Sequence, residues 1–236
     1  MTLGRPHVHH RTIGSTNDHA KALARAGAPH GTIVTADEQT AGRGRQGRRW
    51  STPAGRALAL SAILRDLGER FELLPLLAAV AVCEACEAVA PVRCAIKWPN
   101  DVWIDGRKLS GILAEGRPHD GWAVLGIGVN VTLRAEELPP ELAETATSLA
   151  IAAPGAAPTR SDALLGPLLD RLARRLADEP AAVLAAWRER DALRGRVVRW
   201  DGNEGVAAGI GDRGELLVET DGGAVELQAG EVHLER

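Results

Sequence analysis

The dipeptide Asp105-Gly106 constrains this chain more than any other pair of residues. It separates "DVWI" (101–104) from "RKLSGILAE" (107–115), two runs that read as strands. Asp-Gly between such runs is a strong short-range hairpin signal, because a type I′ turn needs positive φ at both central positions. The turn fixes the register, and the register fixes the faces. Period-two alternation therefore predicts Lys108, Ser110, Ile112 and Ala114 on one face of the return strand. Any fold of this chain must carry that antiparallel pair near its middle.

Other elements assemble around it. "GSTNDHAKALARAG" predicts a helix capped by Ser15 or Thr16 and stopped at Gly27. "TIVTADEQ" predicts a strand that delivers Gln39 to a loop, and "ALALSAILR" a second strand with Leu58, Leu60, Ala62 and Leu64 on one face. A long, buried helix is expected from Phe71 to Val89, with Pro75 tolerated in its first turn. "GWAVLGIGVNV" reads as a strand carrying Asn130 at its end, and "AAPGAAP" as a surface connection. Helices are predicted over Ser161–Ala177 and Pro180–Leu193. From Gly195 onward, "DG", "DRG" and "DGG" punctuate short strands, which predicts a small β-barrel. The expected organisation is an α/β (α+β) domain over 1–194 followed by a β-barrel over 195–236.

Composition narrows the class of function. Of 236 residues, 45% are hydrophobic, enough for a substantial core, and the formal net charge of −3 gives no general footprint of nucleic-acid binding. No apolar run is long enough to span a membrane and the N-terminus has no signal-peptide core, so a cytoplasmic protein is expected. The odd set Cys83, Cys86 and Cys94 fits a reducing compartment. Spacing of three puts Cys83 and Cys86 on one face of the apolar helix, where structural thiols are the better reading than a metal site. His7, His9 and His10 read as a solvated tail.

Against that mildly acidic background, "EQTAGRGRQGRRW" (38–50) is a local device. Arg43, Arg45, Arg48 and Arg49 fall within seven residues, interleaved with Gly42, Gly44 and Gly47. Like charges repel and glycine is costly to order, so the arrangement makes sense when an anion closes it. No G-K-[ST] ends the loop and no helix is expected to follow it, which excludes Walker and dinucleotide-binding motifs. An RNA-binding module built on the loop and the barrel is a rival reading, but acidic residues outnumber basic ones in the barrel and the loop lacks interleaved aromatics.

"STN" at 15–17, the loop at 38–50, "KWPND" at 97–101, "GRKLSGILAE" at 106–115 and "GIGVNV" at 126–131 occur in that order. Together they resemble the biotin–protein ligases, over the span from about Thr12 to the C-terminus. The resemblance implies a mixed-sheet biotin/lipoate ligase-like catalytic domain with a small C-terminal SH3-like β-barrel. It implies biotin and ATP as substrates, Mg2+ carried by ATP near Asp101 rather than held in a fixed site, and biotinyl-5′-AMP as intermediate. The implied partner is the acceptor lysine of a biotin carboxyl carrier protein or domain, with the enzyme a monomer or homodimer and no membrane partner. The stretch ahead of Thr12 is too short for a DNA-binding fold, so neither DNA binding nor repressor function is expected. Lipoate–protein ligases share this fold and chemistry; the arginine loop and the barrel favour biotin.

The resemblance also assigns roles. Lys108, Arg45 and Asp101 are the implied catalytic residues, with Lys108 between the biotin carboxylate and the α-phosphate. Ser15, Thr16, Asn17, Gln39, Gly42, Arg43, Gly44 and Gly111, with Arg45 and Lys108, are implied to bind biotin. Arg43, Arg45, Arg48, Trp50, Lys97, Asn100, Lys108 and Asn130 are implied on the nucleotide side, with Arg49 as a further pyrophosphate contact. Leu133 or Leu138 is expected to cover the adenine. Trp98 and Trp103 are open between pocket walls and core.

Overall fold

The hairpin forms as its dipeptide requires. Asp105 (φ 50°) and Gly106 (φ 73°) are both left-handed and join β5 (Asp101–Ile104) to β6 (Arg107–Arg117). The structure, a computed structural model, describes residues 3–117, 120–228, 230 and 232–234. Around the hairpin lie β1 (His7–Ile13), β2 (Ile33–Gln39), β3 (Ala57–Arg65), β4 (Ala95–Lys97) and β7 (Trp122–Asn130). They form a seven-stranded sheet in the order β1-β2-β3-β7-β6-β5-β4. Only β1 and β2 pair in parallel, so the sheet is mixed.

Two expectations are corrected here. The first concerns the hairpin faces. The pairing slips between Val102 and Trp103: Ser110 faces Val102, but Lys108 faces Trp103, leaving Leu109 as the extra residue. A bulge reverses the alternation beyond it. Lys108 thus leaves the face of Ser110 and lies over Gly111, where a methyl group would stand 3.4 Å from Lys108 Nζ. The second concerns the N-terminal histidines, which are part of edge strand β1 and not a solvated tail. "HVHHRTI" has almost no apolar side chains to announce a strand, and its backbone ladder with β2 supplies the order. Thr35 Oγ1 ties the strands further, at 2.7 Å from His7 Nε2 and 2.9 Å from His9 Nδ1.

Helices cover both faces. α1 (Thr16–Arg25) is N-capped by Ser15, whose side chain accepts from Asp18 N, and buries Ala20 and Ala24 against Val34, Ile63 and Val124. α2 (Leu74–Val89), with Pro75 in its first turn, lies on the other face. Eleven of its sixteen residues are buried, as expected of a largely apolar helix sandwiched between sheet and helices. α3 (Leu149–Ala152) is a single turn, and α4 (Leu165–Ala177) and α5 (Pro180–Arg188) cover the outside of α2. Cys83, Cys86 and Cys94 are buried beside one another, and burial pushes the Cys83 thiol well up. Among the described residues no helix is long and apolar enough to cross a membrane.

A second sheet contains β8 (Val197–Trp200), β9 (Asn203–Ile210), β10 (Leu216–Thr220), β11 (Gly223–Leu227) and β12 (His233–Leu234). It runs antiparallel in the order β11-β10-β9-β8-β12 and forms a small barrel-like unit. Trp98 Nε1 donates to Gly214 O (2.9 Å), joining this unit to the strand pair that carries the site.

The chain crosses between the sheets along the edge of β4, where Ile96 N donates to Arg190 O (2.7 Å) and Ala192 N to Ile96 O (2.9 Å). Asp191 sits at this crossing. One carboxylate oxygen accepts from Leu193 N (2.8 Å), and the other is buried without a hydrogen-bond partner among the described residues. Burial raises its carboxyl above the ordinary value of 3.8. The folded chain therefore binds this proton more tightly than the unfolded one, so stability falls as pH rises from about 4 through the raised value. Asp191→Asn is expected to raise Tm near pH 7 and to have less effect near pH 4. Melting curves across that range check it; an equal shift at both ends would count against the buried charge.

Candidate active site

The site is a pocket on the α1 side of the large sheet, roofed by the arginine loop. Its floor is the pair β6 and β7, and glycines make the room. A methyl group at Gly128 would come within 2.6 Å of the Trp50 indole, and one at Gly126 within 2.1 Å of Asn17 Oδ1. Alternation along β7 places both glycines on one face, which strips that face of side chains and lets Trp50 and Asn17 lie against the sheet.

One wall is the start of α1 with the end of β2. Gln39 Oε1 accepts from both Thr16 N (2.9 Å) and Thr16 Oγ1 (3.0 Å). Its carbonyl is thereby spent on Thr16, leaving the amide NH2 as a donor. Ser61 Oγ lies 2.6 Å from Asn17 Oδ1 and 2.8 Å from Thr16 Oγ1, knitting the wall to β3.

The opposite wall is the turn between β4 and β5. Asn100 Nδ2 donates to Ile112 O (2.8 Å), fixing the turn on β6. Lys108 Nζ donates to Asp101 Oδ1 at 2.7 Å. Lys97 Nζ stands 5.3 Å from the Trp103 ring, a cation–π contact that aligns it along the same rim. The Lys108 backbone is held as well: its N–H donates to Thr145 O (2.7 Å), and its carbonyl accepts from Thr147 N (2.9 Å).

The roof is closed by its own backbone. Gly44 N donates to Arg48 O (2.7 Å) and Trp50 N to Gly42 O (3.0 Å). A methyl group at Gly42 would lie 2.3 Å from Trp50 O, so only glycine lets the two ends of the loop meet. Arg45 spans the pocket mouth, donating to Asn100 Oδ1 (3.0 Å) and to Gly230 O in the second sheet unit (3.1 Å). Arg43 reaches the other way, to Asp18 Oδ1 (2.7 Å), and Arg49 to Thr40 O (2.7 Å).

Of the residues implied in catalysis or in binding biotin and the nucleotide, all line this pocket except Gly42 and Asn130. Gly42 serves the loop closure just described. Asn130 is buried, and its side chain donates to Thr147 O (2.9 Å), holding the segment that pairs with Lys108. Trp98 lines the pocket from a buried position, Trp103 and Leu138 do not line it, and Leu133 is buried. Gly126, Gly128 and Gly230 were not singled out. For the first two the signal was present, since "GIG" on a strand exposes a side-chain-free strip on one face.

Six cations line the pocket (Arg43, Arg45, Arg48, Arg49, Lys97 and Lys108), and Asp101 supplies a carboxylate. Such a chamber can hold two anions close together and neutralise the charge that develops between them. Among the described residues no cluster of His, Cys, Asp and Glu could cage a metal ion. Among the residues lining the pocket, Asp101 is the carboxylate, an oxygen ligand of the kind Mg2+ takes when it arrives on a nucleotide's phosphates.

A fold of this topology with this pocket defines a class. The model of the Biotin/lipoate A/B protein ligase family matches residues 10–131, and the chain belongs to that family. It is 35% identical to the bifunctional ligase/repressor BirA of Bacillus subtilis (strain 168), over 98% of this chain and 75% of that protein. It is also 35% identical to the biotin–[acetyl-CoA-carboxylase] ligase of Mycobacterium tuberculosis, over 93% of this chain and 85% of the relative. Among solved structures, the biotin protein ligase from Aquifex aeolicus in complex with biotin and ATP superposes with a TM-score of 0.83. That match has 28% identity and covers 98% of this chain and 99% of the other.

Proposed function

We propose that the chain is an ATP-dependent biotin–protein ligase. It activates biotin as biotinyl-5′-AMP and transfers the biotinyl group to a lysine of the carboxyl carrier domain of a biotin-dependent carboxylase. The observation that carries this reading is the Lys108–Asp101 pair, set beneath the arginine roof and beside a wall of hydrogen-bonding groups.

In the first step a biotin carboxylate oxygen attacks the α-phosphorus of ATP, the P–O bond to the β-phosphate breaks, and pyrophosphate leaves. Two anions must meet, which the surrounding cations make tolerable. Lys108 neutralises charge where carboxylate and phosphate approach, with Asp101 holding the ammonium in place. Ser15, Thr16 and Gln39 offer the donors and acceptors that a ureido ring needs. Arg45 and Arg48 face the phosphates, and Mg2+ enters with them as part of the substrate. In the second step the acceptor amine attacks the acyl carbon, the acyl–phosphate bond breaks, AMP leaves, and the amine gives up a proton. Asp101 is the carboxylate placed to orient that amine. Residues 1–194 do the chemistry in this scheme, and the unit over 195–236 buttresses Arg45 through Gly230.

Pyrophosphate release from Mg-ATP, measured with biotin and with lipoate, tests the assignment. Release with biotin, followed by streptavidin-detectable labelling of a carrier domain, is expected. Release with lipoate in preference to biotin would overturn the choice of acyl group.

A further inference from the structure

The first arginine of the loop lines the pocket and is held there by carboxylates of α1 and β6. Arg43 NH1 sits 2.7 Å from Asp18 Oδ1, and its NH2 is 3.8 Å from Glu115 Oε1. Lys21 Nζ binds the same two carboxylates, at 2.9 Å from Asp18 and 2.8 Å from Glu115. Two acids and one lysine leave a local excess of one negative charge on α1 and β6, and Arg43 completes it. Lys21 and Glu115 are the sheltered members, with side chains 15% and 21% exposed, so their pairing is less screened than a surface contact.

The same carboxylate faces the substrate wall. Glu115 Oε2 accepts from Asn17 Nδ2 at 2.8 Å, and Asn17 Oδ1 meets Ser61 Oγ, which adjoins Thr16 and through it Gln39. An unbroken run of polar contacts thus leads from the proposed ureido-binding wall through Asn17 and Glu115 to the loop. Burial alone would push the Glu115 carboxyl up; the hydrogen bonds from Lys21 and Asn17 outweigh it and hold the group below the ordinary carboxylate range, so it is charged at neutral pH.

We propose that Asp18, Lys21 and Glu115 form a latch for the arginine loop, with Glu115 the positioning residue that joins the latch to the biotin wall. Arg43 engages the latch when the loop is shut, Arg45 pins the far side, and the two together keep the intermediate under the roof. The inference rests on the proposed ligase function.

The test uses the full chain with Asp18→Asn, Glu115→Gln and both together. Loop closure is read by hydrogen exchange on the amides of residues 40–49, which needs no activity. Intermediate retention is read as the dissociation rate of a non-hydrolysable biotinyl-adenylate analogue. For the double variant, exchange and dissociation are expected to accelerate roughly threefold to tenfold, with Asp18→Asn in between. KM for biotin should rise while the maximal rate of pyrophosphate release holds, which a merely structural defect would not produce. Raising the salt should speed loop exchange in the wild type and leave the double variant unchanged, because there is no ion pair left to screen. Exchange and dissociation equal to wild type in the double variant would overturn the latch. A wild-type chain that releases no pyrophosphate with biotin would overturn the ligase reading, and the latch would then be decided by exchange alone.

Discussion

Replacing Lys108 by alanine is expected to slow biotin adenylation by roughly 10²–10³, the usual loss when one preorganised donor is removed from developing charge. The ammonium stands on a sheet strand, paired with Asp101 at 2.7 Å, and costs no reorganisation as the reaction proceeds. Folding should survive, because the backbone of Lys108 is held on both sides and its side chain is only partly buried. Asp101 loses its partner in the variant, but in a pocket open to water that carboxylate remains solvated. Initial rates of pyrophosphate release, with a melting curve on the same sample, check the prediction. A rate near wild type would remove Lys108 from the chemistry.

The second large effect is expected at Arg45. Arg45→Gly removes hydrogen bonds to Asn100 and Gly230 that hold the roof across the pocket mouth, and it adds another flexible residue to a loop already rich in glycine. Charged hydrogen bonds of this kind are each worth about 1.5–3 kcal/mol, so losing the two should favour the open form by roughly two to four orders of magnitude. Adenylation should weaken less than retention does. The adenylate should escape and acylate lysines on bystander proteins, scored by adding an unrelated protein and probing it for biotin. Labelling confined to the carrier would show that Arg45 does not keep the roof shut.

Much of this site could be read from the sequence because its residues cluster in short motifs. The "STN", "KWPND" and "GRKLSGIL" segments fall on strand ends and a helix start, where local chemistry decides conformation. Asp105-Gly106 was legible for the same reason: both residues take positive φ, and few dipeptides do so readily. The bulge at Val102/Trp103 was not, because the turn does not choose it. Packing does, by burying Leu109 completely while sending Lys108 to the opposite side. Strand β1 was hidden because backbone pairing stabilises it and its side chains are polar. The partners of Arg43 were hidden by distance along the chain: Asp18 and Glu115 meet only once α1 has docked on the sheet.

The two backbone rungs between Lys108 and the Thr145–Thr147 segment bear on how such enzymes can be recombined. That segment returns from β7 through an irregular connection, yet it ends stitched to the main chain of the proposed catalytic cation. Asn130 adds a third stitch at Thr147. A graft that replaces residues 133–147 with a relative's segment would therefore be transmitted to the aim of the ammonium, even though it replaces neither Lys108 nor Asp101. Grafts cut inside those stitches should keep the cation aligned, whereas grafts that carry residues 145–147 along would install a new alignment with the new loop.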